Sequence, residues 1–133
     1  VWGAALMWYC NAKAPGEPVH VFAHSHGAQV AAYAFARGLR GRLLTVAAPV
    51  RRDMEGIYRR AAANADAWTH IYTGRGDRWA WLGTLGDGLL GIRRKMPAPA
   101  ENIYEPDQDH RSLLNPDLWT ARDWWQFIRA STV

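Results

Sequence analysis

The sequence predicts an α/β fold, a three-layer sandwich on a small, mostly parallel sheet. Three observations predict it. Runs of β-formers fall at residues 19–23, 43–47 and 68–73, the first apolar with little alternation, as strands covered on both faces are. Segments of helical apolar spacing separate these runs, and strands alternating with helices imply parallel pairing through crossovers. Gly and Pro clusters fall between the segments rather than within them.

Each element has a local cause. Trp2, Leu6 and Tyr9, with Ala5 and Trp8 alongside, give residues 2–11 a helical period. Ala14-Pro15-Gly16-Glu17-Pro18 then stops that helix, because two prolines and a glycine cannot continue it. Residues 19–23 form the first strand. Residues 27–37 are helical, with Ala28, Val30, Ala31, Ala32, Ala34, Phe35 and Ala36 around nearly the whole circumference, so this helix is expected to be largely buried. Gly38 and Gly41 flank its end.

Residues 43–47 are the second strand, ended by Pro49, and Asp53 is the expected N-cap of a helix reaching about Ala65. Residues 68–73 are the third strand, followed by the turn Gly74-Arg75-Gly76-Asp77. The stretch 79–91 is apolar and glycine-rich and reads as a helical turn or two, then loop. Ile103-Tyr104 is a short extended piece. Asn115-Pro116-Asp117 supplies an N-cap, a proline at the first helical position and a first-turn acid. Leu118, Ala121, Trp125 and Ile128 continue the period of a closing helix expected to pack on the sheet.

The 133 residues read as a single domain, 1–133. Eight tryptophans favour a packed aromatic core or an apolar binding surface and argue against disorder. The lone Cys10 excludes a disulfide scaffold. The net charge of +4 is spread over scattered arginines, with one tight cluster at Arg93-Arg94-Lys95, so a nucleic-acid partner is not expected. No apolar run approaches the roughly 18 residues of a transmembrane segment. Residues 1–10 are apolar but lack the basic start of a signal peptide, and compartment is not indicated. A chain that starts inside an apolar helical pattern is expected to be part of a longer one.

The chemistry gathers at Ala23-His24-Ser25-His26-Gly27, where the first strand meets a sharp corner and a helix follows at once. Strand, tight turn and helix with serine at the corner is the layout of a nucleophile elbow, Gly-x-Ser-x-Gly, here with alanine for the first glycine. A serine hydroxyl needs a base to take its proton and an acid to orient that base. In a parallel sheet such groups gather at the carboxyl ends of strands. Asp77 lies just past the third strand, and His110 lies in the polar loop Asp107-Gln108-Asp109-His110 before the last helix. Ser25, Asp77 and His110 follow the chain order of a nucleophile-elbow hydrolase. Asp87, Asp107 and Asp109 are rival acids, but Asp107 and Asp109 are too near His110 in sequence to be assumed to reach its Nδ1. His20, His24 and His26 diverge at the turn and lack a nearby Cys or carboxylate at ligand spacing, so neither a metal nor another cofactor is expected. His24 is expected to shape a substrate pocket at the elbow. Trp79, Trp81 and Leu82, with Leu85, Leu89 and Leu90, either line an acyl pocket or close the core over the sheet.

These motifs resemble the α/β-hydrolase superfamily, in its broad lipase and esterase group. Val21–His26 with Gly27 resembles the family's strand and His-Ser-x-Gly elbow, and Leu44-Thr45-Val46-Ala47-Ala48-Pro49 resembles the strand that follows. Ile71-Tyr72-Thr73-Gly74-Arg75-Gly76-Asp77 resembles the acid-bearing strand and turn, and Asp109-His110-Arg111-Ser112-Leu113-Leu114-Asn115-Pro116 resembles the His-Ser-x-Leu loop that carries the base. The resemblance spans the whole chain but only the carboxyl-terminal half of a usual member, a reduced α/β-hydrolase fold. It implies a serine esterase or lipase acting on a small-molecule or lipid ester through an acyl-enzyme. It also implies an oxyanion hole with the backbone N–H of His26 as one donor; nothing in the chain matches the loop that gives the second. An amidase, thioesterase or peptidase on the same triad, or a non-catalytic α/β binding module, are the other readings.

Overall fold

In a computed structural model, residues 1–73, 95–97 and 100–129 are described. Helix α1 (Trp2–Lys13) is followed by β1 (Val21–His24), α2 (Gly27–Ala36), β2 (Arg42–Val46), α3 (Glu55–Asn64), β3 (Ala67–Tyr72), β4 (Glu101–Tyr104) and α4 (Pro116–Ala121). The strands form one parallel sheet in the order β1-β2-β3-β4. The short extended piece expected at Ile103-Tyr104 is thus a full fourth strand, with Ile103 paired to Ile71.

The sheet separates two cores. On one face α2 packs against both α1 and α3, over Leu43, Trp68 and a row of small residues that includes Ala28, Ala31 and Ala32. On the other face Leu44, Val46 and Ile71 lie under Leu113, Trp119 and Trp124. Leu43 and Leu44 are neighbours in sequence yet enter different cores, which is the period-2 alternation of a strand buried on both sides. The fully buried alanines of α2 let the helix approach the sheet closely. Gly3 does the same between α1 and α2, where a Cβ would collide with Tyr33.

The C-terminus of α2 closes as a Schellman motif. Gly38, at φ +112°, bonds its N–H to Phe35 O at 3.0 Å, and Leu39 bonds to Ala34 O at 3.1 Å. Buried Leu39 then turns the chain toward β2.

Three expectations are revised. Strand β1 is not covered fully on both faces: Phe22 remains 42% exposed, although its ring meets Trp119 edge-on at 4.9 Å, and β1 is an end strand among those described. Asp53 does not cap α3; its carboxylate takes the Arg51 guanidinium at 2.7 Å, and a 3-10 turn over Arg52–Met54 leads into the helix. The closing helix ends at Ala121 rather than running through Ile128. Asp123 adopts φ +52°, and Trp124–Phe127 forms a separate 3-10 turn. The break lets Trp124 and Trp119 both enter the second core, with ring centroids 6.1 Å apart. The start of that helix is as expected: Asn115 Oδ1 accepts from Asp117 N at 3.0 Å.

Candidate active site

The carboxyl edge of the sheet is where the chemistry-bearing residues gather. Ser25 directly follows β1, and its N–H continues the ladder by donating to Val46 O at 2.9 Å. Its φ is +56°, a left-handed conformation that non-glycine residues adopt at a cost of about 1–2 kcal/mol. This kink ends the strand and starts α2 within two residues, and Ser25 O accepts from Ala28 N at 3.1 Å. Ala47 repeats the conformation one strand over, at φ +52°, with its N–H on Ile71 O at 2.9 Å. Two left-handed non-glycine residues on adjacent strand ends hold strain at one edge, as functional sites do.

His110 comes to the same place. It is 8% exposed. His24, the residue before Ser25, donates from Nε2 to His110 O at 3.0 Å, and the two imidazoles lie 4.6 Å apart at 56°. A carbonyl oxygen has no proton to give, so His24 Nε2 carries one. The loop before His110 is tied to the end of β3, where Thr73 Oγ1 donates to Gln108 O at 2.8 Å. Asp109 organises the turn locally. Its Oδ1 accepts from Arg111 N at 2.9 Å and Ser112 N at 2.8 Å, while its own N–H donates to Ser112 Oγ at 2.8 Å. The Ser112 and Arg111 amides hold this carboxyl below its usual pKa.

Three connections therefore converge: the elbow after β1, the chain leaving β3 at Thr73, and the loop between β4 and the turn Ser112–Leu114. Of the expected residues, the structure brings His24 and His110 into contact, and Ser25 and His26 follow His24 directly in the chain. Asp77, Trp79, Trp81 and Leu82 lie outside the described residues, as do Asp87, Leu85, Leu89 and Leu90. Asp109 is committed to its own turn, and Asp107 is exposed. Ser25 Oγ makes no hydrogen bond among the described residues, and neither does the His26 backbone N–H at the start of α2. A developing negative charge at that helix start would meet an available N–H and the positive end of the helix dipole.

The histidine-rich stretch divides as the turn requires. His20 Nδ1 accepts from Arg42 N at 3.1 Å, His24 faces His110, and the exposed His26 begins α2. Among the described residues, no group of three or more His, Cys, Asp or Glu is placed to hold a metal ion.

The chain matches no protein-family model, no curated protein and no solved structure.

Sequence reasoning missed three features around this site. Thr73 reads as the end of a strand, and no local signal pairs it to Gln108. Glu105, 7% exposed at the end of β4, receives the Arg122 guanidinium at 2.9 Å, and this partner raises the pKa of Arg122. The pair ties the β4 exit to the end of α4. Behind the edge, Trp68 Nε1 donates to Thr45 Oγ1 at 2.9 Å, and that oxygen lies 2.9 Å from Nδ1 of the fully buried His70. Thr45 and His70 are register partners on adjacent strands, a pairing visible only once the sheet is assembled.

Proposed function

We propose that the chain is a serine hydrolase of the esterase or lipase type, on a reduced α/β-hydrolase fold. The observation that supports this reading is the contact of His110 with His24, the residue that precedes Ser25 at its left-handed elbow. Ser25 Oγ attacks an ester carbonyl while His110 takes its proton. The oxyanion of the tetrahedral intermediate is met by the His26 backbone N–H. His110 then gives the proton to the departing alcohol, and water releases the acyl group from Ser25 by the same steps in reverse. Asp77, four residues past Thr73, is assigned to orient the imidazole, and Trp79, Trp81 and Leu82 to receive the acyl part of a small-molecule or lipid ester. The Ser25 hydroxyl engages His110 when substrate closes the site, since catalytic hydrogen bonds often tighten only in the complex.

A fluorophosphonate probe tests this reading. Wild-type protein takes up the probe at Ser25, Ser25→Ala takes up none, and His110→Ala lowers ester turnover on the order of 10⁴-fold or more. A folded wild-type protein that stays unlabelled removes the hydrolase reading and leaves a non-catalytic α/β module. The aromatic face of α1, where Trp2 and Trp8 are about three-quarters exposed, is the observation that favours that second reading.

A further inference from the structure

We propose that His24 is a positioning residue that sets the base loop against the nucleophile elbow, an inference that rests on the hydrolase reading above. Its imidazole was expected to shape a substrate pocket. Its Nε2–H is used by the His110 carbonyl at 3.0 Å. The bond goes to the backbone of the base residue, so it fixes where His110 sits. The imidazole ring, 4.6 Å from that of His110, then limits which way the base turns. The two ends of this link differ in rigidity. His24 is the last residue of β1, paired with Val46, and the next N–H continues the ladder to Val46 O. His110 belongs to an irregular loop that leaves β4 and reaches the turn Ser112–Leu114.

The same loop is held on its other side by Thr73 Oγ1 on Gln108 O and within itself by the Asp109 turn. Neither of those bonds refers to the elbow. His24 therefore relates the position of the base to that of Ser25 through one covalent step. A residue of this kind acts on the rate of the chemical step, because a misplacement of about 1 Å costs on the order of a hundredfold. It acts little on substrate affinity.

Three variants and one measurement test this. His24→Phe keeps a ring against His110 and removes the donor. His24→Gln keeps a side-chain N–H at similar reach and removes the ring. For His24→Phe, kcat on a short ester falls about tenfold to a hundredfold while KM barely changes. His24→Gln recovers most of that loss, and His24→Ala does not. In wild-type protein, NMR detects a coupling across the hydrogen bond between His24 Nε2 and the His110 carbonyl carbon. A His24→Phe enzyme as fast as wild type overturns the proposal, as does one whose KM rises with kcat unchanged, which marks a substrate contact. Equal activity of the Gln and Phe variants also overturns it. If His24→Phe does not fold, the wild-type coupling and the Gln variant decide: absence of the coupling, or loss of turnover in a folded Gln variant, overturns the assignment. A wild-type protein that neither labels with fluorophosphonate nor turns over ester brings down the hydrolase reading and this role with it. A labelled, active wild type with an unaffected His24→Phe brings down this role alone.

Discussion

Ser25 has a left-handed backbone and, in the proposed mechanism, the attacking hydroxyl, and substitution separates the two. Glycine adopts φ +56° without the Cβ clash that alanine keeps. Ser25→Gly and Ser25→Ala are both expected to be inactive, but the glycine variant is expected to be more stable than the alanine variant by about 1 kcal/mol. Urea midpoints of the two variants measure this, and equal midpoints would mean that the elbow stores no backbone strain. Asp109 gives a pH-dependent counterpart. Its folded pKa lies below the ordinary 3.8, through the Ser112 amide first and the Arg111 amide second. A depressed carboxyl pKa contributes stability that is present above the unfolded value and is lost as pH falls through the folded one. The stability gap between wild type and Asp109→Ala is thus expected to be constant above about pH 5 and to narrow below pH 3.8. A gap that persists unchanged into strong acid would show that the charge does not hold the turn.

At the scale of elements, one side chain connects the closing segment to the sheet. Trp119 of α4 is 3% exposed and donates from Nε1 to Leu113 O at 2.5 Å. Its ring meets Phe22 of β1 at 4.9 Å and Trp125 at 4.8 Å. Removing it leaves a cavity under the only helix described on that face and exposes a carbonyl that had a donor. Trp119→Ala is expected to cost about 3–5 kcal/mol, a large share of the roughly 5–15 kcal/mol that holds a domain together. Chemical denaturation checks the figure. A loss under 1 kcal/mol would mean that α4 is held by its ends alone. Because the turn Ser112–Leu114 hangs on the same tryptophan, the variant is also expected to lower ester turnover if His110, one residue before that turn's cap, is the base as proposed.

At the scale of the molecule, the sheet lies between the two cores formed by the described residues. Cys10 reports on the helical side. It is 7% exposed on α1, within the cluster that includes Phe35 and Tyr58, and burial pushes its thiol pKa up. A thiolate-selective disulfide reagent should therefore react with native protein far more slowly than with the unfolded chain. Equal rates would show that α1 leaves α2 readily. No helix among the described residues is long and apolar enough to cross a membrane. The outer side of α1 nevertheless presents Trp2, Trp8 and Tyr9, each more than half exposed.

The sequence by itself determined most of the elements and the order of the chemistry. Residues 43–47 and 68–73 read as strands because β-branched, aromatic and apolar residues dominate them, and they are strands within one residue at each end. Asn115 read as a cap because its side chain and Pro116 act on backbone next to them, a local matter that needs no fold. Ser25 read as an elbow for the same reason. Tertiary structure decided what depends on distant partners. The tryptophans at 119 and 124 broke the closing helix, because burying both under Leu44 and Ile71 outweighed a continuous helical ladder. The edge position of β1 was not legible, since an apolar run looks the same at an edge as at the centre. Nor was the contact of His24 with His110: only folding brings the two within 3.0 Å, across a separation of 86 residues that no local pattern encodes.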